Sequence, residues 1–173
     1  MTSTTPGGFR RGIRIGIDVG SVRVGVARTD PDGTLAVPVA TLARPKAVAA
    51  PRTDLSGIAD LVEEYEPLEL VVGLPLTLDG LEGPAAQAVR AYVQDLLDVL
   101  RQRGLRVPVR LVDERLSTAA AARELQAAGR DARSSRAVVD QAAAVIIVST
   151  ALDTERATGA PAGTLIDPEQ DHA

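Results

Sequence analysis

Two short apolar runs in period two, Ile13-Ile15-Ile17 and Val22-Val24-Val26, flank the tight turn Asp18-Val19-Gly20-Ser21, and this arrangement most constrains the fold. Alternation of that kind marks a strand with one buried face, and an Asp/Gly turn between two such runs makes a hairpin. Leu35 to Leu42 reads as a third strand behind the reverse-turn residues Asp30-Pro31-Asp32-Gly33. The chain therefore opens as an antiparallel meander.

Beyond the meander the pattern alternates. Thr53 or Asp54 is placed to cap a helix carrying Leu55, Ile58, Leu61 and Val62 on one face. Leu68 to Val72 is a buried strand ended by Gly73-Leu74-Pro75, and Pro84 to Gly104 is a long helix with Val89, Val93, Leu96, Leu97 and Leu100 at helical spacing. Val107 to Val112 is another strand. A helix capped by Ser117 or Thr118 runs to Gly129, and a last one, capped by Ser134 or Ser135, covers Arg136 to Leu152. The order βββαβαβαα predicts an α/β fold: a mixed five-stranded sheet with helices on both faces, the shape of ribonuclease H-like domains.

The 173 residues, 45% hydrophobic, suffice for one domain over residues 12–153, leaving residues 1–11 as a flexible N-terminus and residues 154–173 as a disordered polar tail. No apolar stretch approaches the roughly 20 residues that span a bilayer, so a cytoplasmic protein with no membrane partner is expected. The chain lacks cysteine, and its one histidine, His172, lies in the tail. Thiolate chemistry and histidine-dependent hydrolase triads are thereby excluded.

A net charge of -4 is unusual for a nucleic-acid binder. The charge is unevenly spread, however, with Arg10, Arg11, Arg14, Arg23 and Arg28 crowding the N-terminal hairpin, which suggests a basic rim around an acidic site.

Three acids stand out. Asp18 ends the first strand; its plain reading is a turn-former. Glu114 follows the last strand, next to Asp113, and its plain reading is a loop acid that favours the N-terminus of the next helix. Asp140 lies on a helix that is apolar nearly all round, where an unpaired carboxylate is costly unless a cation meets it; Arg136, one turn earlier, is the ordinary candidate partner. In such sheets ligands gather at the carboxyl ends of parallel strands, where Asp18 and Glu114 both fall. Together the three make a candidate catalytic and metal-binding set. Hydrolysis of phosphodiesters by two metal ions needs carboxylates holding cations about 3.5–4 Å apart. Oxygen ligands without Cys or His favour Mg²⁺ or Mn²⁺.

Four blocks carry a family resemblance: Ile17-Asp18-Val19-Gly20-Ser21-Val22-Arg23-Val24-Gly25-Val26-Ala27, Val72-Gly73-Leu74-Pro75-Leu76, Asp113-Glu114-Arg115-Leu116-Ser117-Thr118 and Val139-Asp140-Gln141-Ala142-Ala143-Ala144. In this order they resemble the signature blocks of the YqgF/RuvX family of RuvC-like Holliday junction resolvases. The resemblance implies a ribonuclease H-like, metal-dependent nuclease with a role in maturing the 5′ end of precursor 16S rRNA, in contact with ribosomal precursor particles. It assigns catalysis to Asp18, Glu114 and Asp140. The chain departs from many relatives at Thr77, where they carry Asn, and at Arg136, where they carry Lys.

Arg23, Arg115 and Arg136 are candidate phosphate contacts, and Thr118 either touches substrate or caps its helix. Precursor rRNA and branched DNA are the candidate partners. Junction resolution requires two sites in a homodimer, and an apolar face on Pro84 to Arg103 or on the last helix would serve it. With 2% aromatic residues, base stacking is a weak means of recognition and phosphate contacts must carry more. A different class, the nucleotide-binding domains of actin and the sugar kinases, also opens on an Asp-x-Gly turn, but those proteins close nucleotide between two such domains and this chain has room for one, which leaves a non-catalytic or nucleotide-binding single domain as the remaining alternative.

Overall fold

The computed structural model describes residues 8–116 and 134–166. Its elements, in chain order, are β1 (Arg14–Val19), β2 (Arg23–Thr29), β3 (Ala36–Ala43), α1 (Thr53–Tyr65), β4 (Glu69–Leu74), α2 (Pro84–Gln102), β5 (Val109–Asp113), a 3₁₀ turn (Glu114–Leu116), α3 (Ser134–Thr158) and β6 (Thr164–Ile166). The sheet order is β3-β2-β1-β4-β5-β6. β1, β2 and β3 form the antiparallel meander, β4 and β5 extend it in parallel from β1, and β6 runs antiparallel to β5.

The expected architecture, an α/β mixed sheet covered on both faces, is present. Period-two alternation sorts the side chains: Ile15, Ile17, Val24, Val26, Leu70, Val72, Val109 and Leu111 pack with α1 and α2. The other face is the bed of α3, where Ala27 and Val71 meet Ala143, Ala144, Ile147, Val148 and Ala151.

Three glycines let α3 lie close against that second face. A Cβ at Gly16 would stand 2.6 Å from the Ala144 carbonyl oxygen, and one at Gly73 2.7 Å from Ile147 Cδ1. At Gly25 it would overlap the backbone carbonyl of Asp140. The helix thus sits on backbone from β1, β2 and β4, and its Asp140 is fixed in depth by Gly25.

Four expectations need correction. The sheet has six strands instead of five, because Thr164–Ile166, read as disordered tail, pairs with Val109–Leu111 and covers the edge of β5. α3 runs through Thr158, past the boundary drawn at 153, because Glu155 is a buried ion-pair partner instead of a solvated tail acid. Of the N-terminus expected to be flexible, Arg10 is fixed by bonds to Glu155 and Glu69. Neither Thr53 nor Asp54 caps α1: Arg52 is the cap residue, without a side-chain bond, and Asp54 is buried in an ion pair with Arg52. The helix expected from Ser117 or Thr118 to Gly129 lies outside the described residues.

Among the described residues no helix is long and apolar enough to cross a membrane.

Candidate active site

Asp18 lies at the carboxyl end of β1, directly opposite Gly25 on β2. Cross-strand partners point to the same face, so the carboxylate of Asp18 projects beside the place where Gly25 admits Asp140. It is 3% exposed. This is a buried acid on the α3 side, which a solvent-facing turn residue would not be.

Glu114 follows β5, two strands away from β1 and therefore about 10 Å off in the plane of the sheet. Between them runs β4, whose Gly73 leaves the surface open: a Cβ there would meet the Glu114 carboxyl carbon at 3.8 Å. The longer glutamate side chain and the missing Gly73 side chain together allow the carboxylate to lean back toward β1. Burial raises its pKa above the ordinary glutamate value, because removal from water disfavours the charged form. One oxygen, Oε1, is buried and accepts no hydrogen bond among the described residues, although the residue has other interactions.

Asp140 projects from α3 over the same end of the sheet. Among the described residues its partner is Arg23, the first residue of β2, just after the Asp18 turn, whose Nε donates to Oδ2 at 3.0 Å.

Three carboxylates on one face suit a hard divalent cation in donor type. As the side chains stand, no group of three or more His, Cys, Asp or Glu among the described residues is close enough to hold a metal ion. The Asp140 carboxylate is meanwhile held in an ion pair with the Arg23 guanidinium, which offsets its charge.

The family model for RuvX, Holliday junction resolvase, matches residues 12–154. The chain belongs to the RuvX family. It is 50% identical over 156 residues to a Streptomyces avermitilis protein named "Putative pre-16S rRNA nuclease", covering 90% of this chain and 95% of that one. A Thermobifida fusca protein of the same name is 46% identical over 166 residues, covering 92% and 98%. Among solved structures, Thermus thermophilus RuvC in complex with a Holliday junction substrate aligns with a TM-score of 0.56 at 16% identity, covering 88% of this chain and 99% of that one. That likeness establishes the ribonuclease H-like fold. RuvX is thus a nuclease family on a RuvC-like scaffold.

Of the other residues expected to serve this RuvX site, Arg115 is placed near it but is held by its own loop. Its guanidinium pairs with Asp113 at 2.7 Å and donates to the Leu78 carbonyl at 3.1 Å. The Asp113 carboxyl, held below its usual range by that pair, is committed to Arg115. Thr118 and the Arg136 side chain lie outside the described residues.

The basic rim is narrower than the sequence suggested. Arg10 and Arg14 sit at the far end of β1, paired with Glu69 and Glu155, and Arg28 lies over the Tyr65 ring. In a hairpin the residues farthest from the turn are at the opposite end of the sheet, so closeness in sequence did not mean closeness to the site. Sequence reasoning also missed Arg44, whose Nη1 donates to the Gly20 carbonyl in the Asp18 turn at 2.7 Å. Its sequence signal, an arginine at the end of the third strand, was not distinctive.

Proposed function

We propose that this RuvX-family chain is a divalent-metal-dependent endonuclease that processes the 5′ end of precursor 16S rRNA in the cytoplasm. The reading is supported by the position of Asp18, Glu114 and Asp140 on the α3 face toward one end of the sheet, two of them buried. The rRNA substrate is supported by the name shared by relatives at 46–50% identity over about nine-tenths of the chain.

Mg²⁺ or Mn²⁺, bound as one or two ions, would supply charge stabilisation at the phosphate and an activated water. The chain's own residues would hold and orient. Asp18, between the other two acids, is suited to a shared ligand. Glu114 and Asp140 would complete the shell from opposite sides. Arg23, displaced from Asp140, would be free to contact a substrate phosphate with its guanidinium fork.

A second reading, Holliday junction resolution by a homodimer, is favoured by the description of the family and by the RuvC-like fold. One experiment separates the two. Purified protein with Mg²⁺ or Mn²⁺ is offered a 5′-extended 16S precursor fragment and a synthetic four-way DNA junction in parallel. Cleavage of the precursor near the mature end supports the first reading; paired cuts in the junction alone overturn it in favour of the second.

A further inference from the structure

The chain contains only three aromatic residues, and one of them, Tyr92 on α2, is buried near the catalytic turn. The guanidinium carbon of Arg44 lies 4.8 Å from the centre of its ring. From there Arg44 Nη1 reaches the Gly20 carbonyl at 2.7 Å, while the Arg44 backbone N–H donates to the Val22 carbonyl at 2.8 Å. Gly20 comes two residues after Asp18, and Val22 immediately precedes Arg23. A single residue therefore holds both limbs of the turn that joins a buried carboxylate to the arginine facing Asp140.

The turn needs such support. Its own closure includes the Gly20 N–H bond to the Arg23 carbonyl, at 2.9 Å, and its outer residues Ser21 and Val22 are exposed. Tyr92 is anchored in turn: it is 2% exposed, and a second arginine, Arg52, approaches its ring at 5.6 Å while bonded to Asp54 and Asp95. The ring is thus a fixed platform in the helical layer. A planar guanidinium can lie on it and still donate at its edge, which a lysine ammonium cannot do in the same way.

We propose that Arg44 is a positioning residue for the catalytic turn, transmitting the fixed location of Tyr92 to Asp18 and Arg23. The proposal rests on the reading of Asp18 as a metal ligand given above. Arg44 acts through the backbone carbonyls of the turn, so its loss should disturb metal affinity and turnover more than substrate affinity.

The test compares wild type, Arg44→Lys, Tyr92→Phe, Tyr92→Leu and Asp18→Asn. Mn²⁺ affinity is read without nucleic acid by electron paramagnetic resonance of free Mn²⁺, and folding by circular dichroism melting. Cleavage is measured on the 5′-extended 16S precursor fragment and the four-way DNA junction. Arg44→Lys should melt cooperatively, bind Mn²⁺ about 5- to 10-fold more weakly, and lose about 10-fold or more in kcat with KM changed less than about 2-fold. Tyr92→Phe, which keeps the ring, should match wild type, and Tyr92→Leu should resemble Arg44→Lys; if Tyr92→Leu does not fold, Arg44→Lys decides alone. Wild-type Mn²⁺ affinity in Arg44→Lys, or a change confined to KM, overturns the positioning role. If Asp18→Asn loses Mn²⁺ while Arg44→Lys keeps it, only this proposal fails; if Asp18→Asn binds Mn²⁺ and cleaves normally, the reading beneath it fails as well.

Discussion

Arg23 and Asp140, 117 residues apart in the chain, meet in an ion pair of 3.0 Å that closes one side of the carboxylate site. Nearly one-third of the Arg23 side chain and one-fifth of Asp140 remain exposed, so the pair can open without unfolding the domain. If Arg23 holds the place of a cation, metal and arginine compete for Asp140. Arg23→Gln should therefore bind Mn²⁺ more tightly than wild type in the absence of substrate, by about 3- to 10-fold, a change worth about 0.7–1.4 kcal/mol. It should nevertheless cleave more slowly at limiting substrate, having lost a phosphate contact. A Mn²⁺ titration beside a kcat/KM measurement checks both; unchanged metal affinity would show that the pair does not compete.

The span from β5 to β1 makes a length-sensitive prediction at Glu114. Aspartate keeps the charge but is one methylene shorter, and a misplacement of about 1 Å costs on the order of 100-fold in rate. Glu114→Asp should fall by about that factor and Glu114→Gln further, with similar melting temperatures in both. Because burial raises the Glu114 pKa, the unmetallated carboxyl takes up a proton above the usual glutamate range. Mn²⁺ binding, which must displace that proton, should accordingly weaken as the pH falls, and Glu114→Gln should lose this dependence.

The seat of α3 was legible in part. The meander, the order of the described elements from β1 to β5, the helices on both faces and the three candidate acids could be picked out from periodicity and turn chemistry, since each is a local pattern with an immediate physical cause. Gly16, Gly25 and Gly73 were visible within apolar runs, but nothing in the sequence says which helix lies across them. The pairings of Asp140 with Arg23, and of Glu155 with Arg10 and Arg14, join residues more than a hundred positions apart and depend on the tertiary fold. For the same reason Thr164–Ile166 read as tail: a strand so short takes its order from the edge of β5 that it covers.

Gly25 gives the sharpest test of that seat. Because its Cβ would overlap the Asp140 carbonyl, the conflict is with backbone and no rotamer relieves it. Gly25→Ala should destabilise by about 3 kcal/mol or more. It should also weaken Mn²⁺ binding by lifting Asp140 away from the sheet. Denaturant unfolding monitored by circular dichroism measures the first effect; a loss below about 1 kcal/mol would mean that the helix has room to shift.

At the far end of the sheet, Glu155 is buried against Arg14 and is bonded by the half-buried Arg10. Burial alone would push its carboxyl up, but bonds from Arg10 and the charge of Arg14 outweigh that and hold it below the usual range. A depressed carboxylate contributes stability above its unfolded pKa, near 4.5, and loses it as the pH falls through the folded value. Glu155→Gln leaves Arg14 without one of its charge partners and should cost about 3 kcal/mol at pH 7. The deficit relative to wild type should shrink as the pH drops below 4.5. Melting curves across pH 3–7 follow this, and a pH-independent deficit would contradict it.

As proposed, Asp18 binds the metal on which cleavage depends. The most direct measurement is single-turnover cleavage of the 5′-extended 16S precursor and the four-way junction by wild type and Asp18→Asn across a Mn²⁺ titration. Wild type should cleave at least one substrate in a metal-dependent way, and the variant should lose at least about 1,000-fold with its fold intact by circular dichroism. Cleavage by Asp18→Asn at the wild-type rate and with the same metal dependence would contradict the proposal.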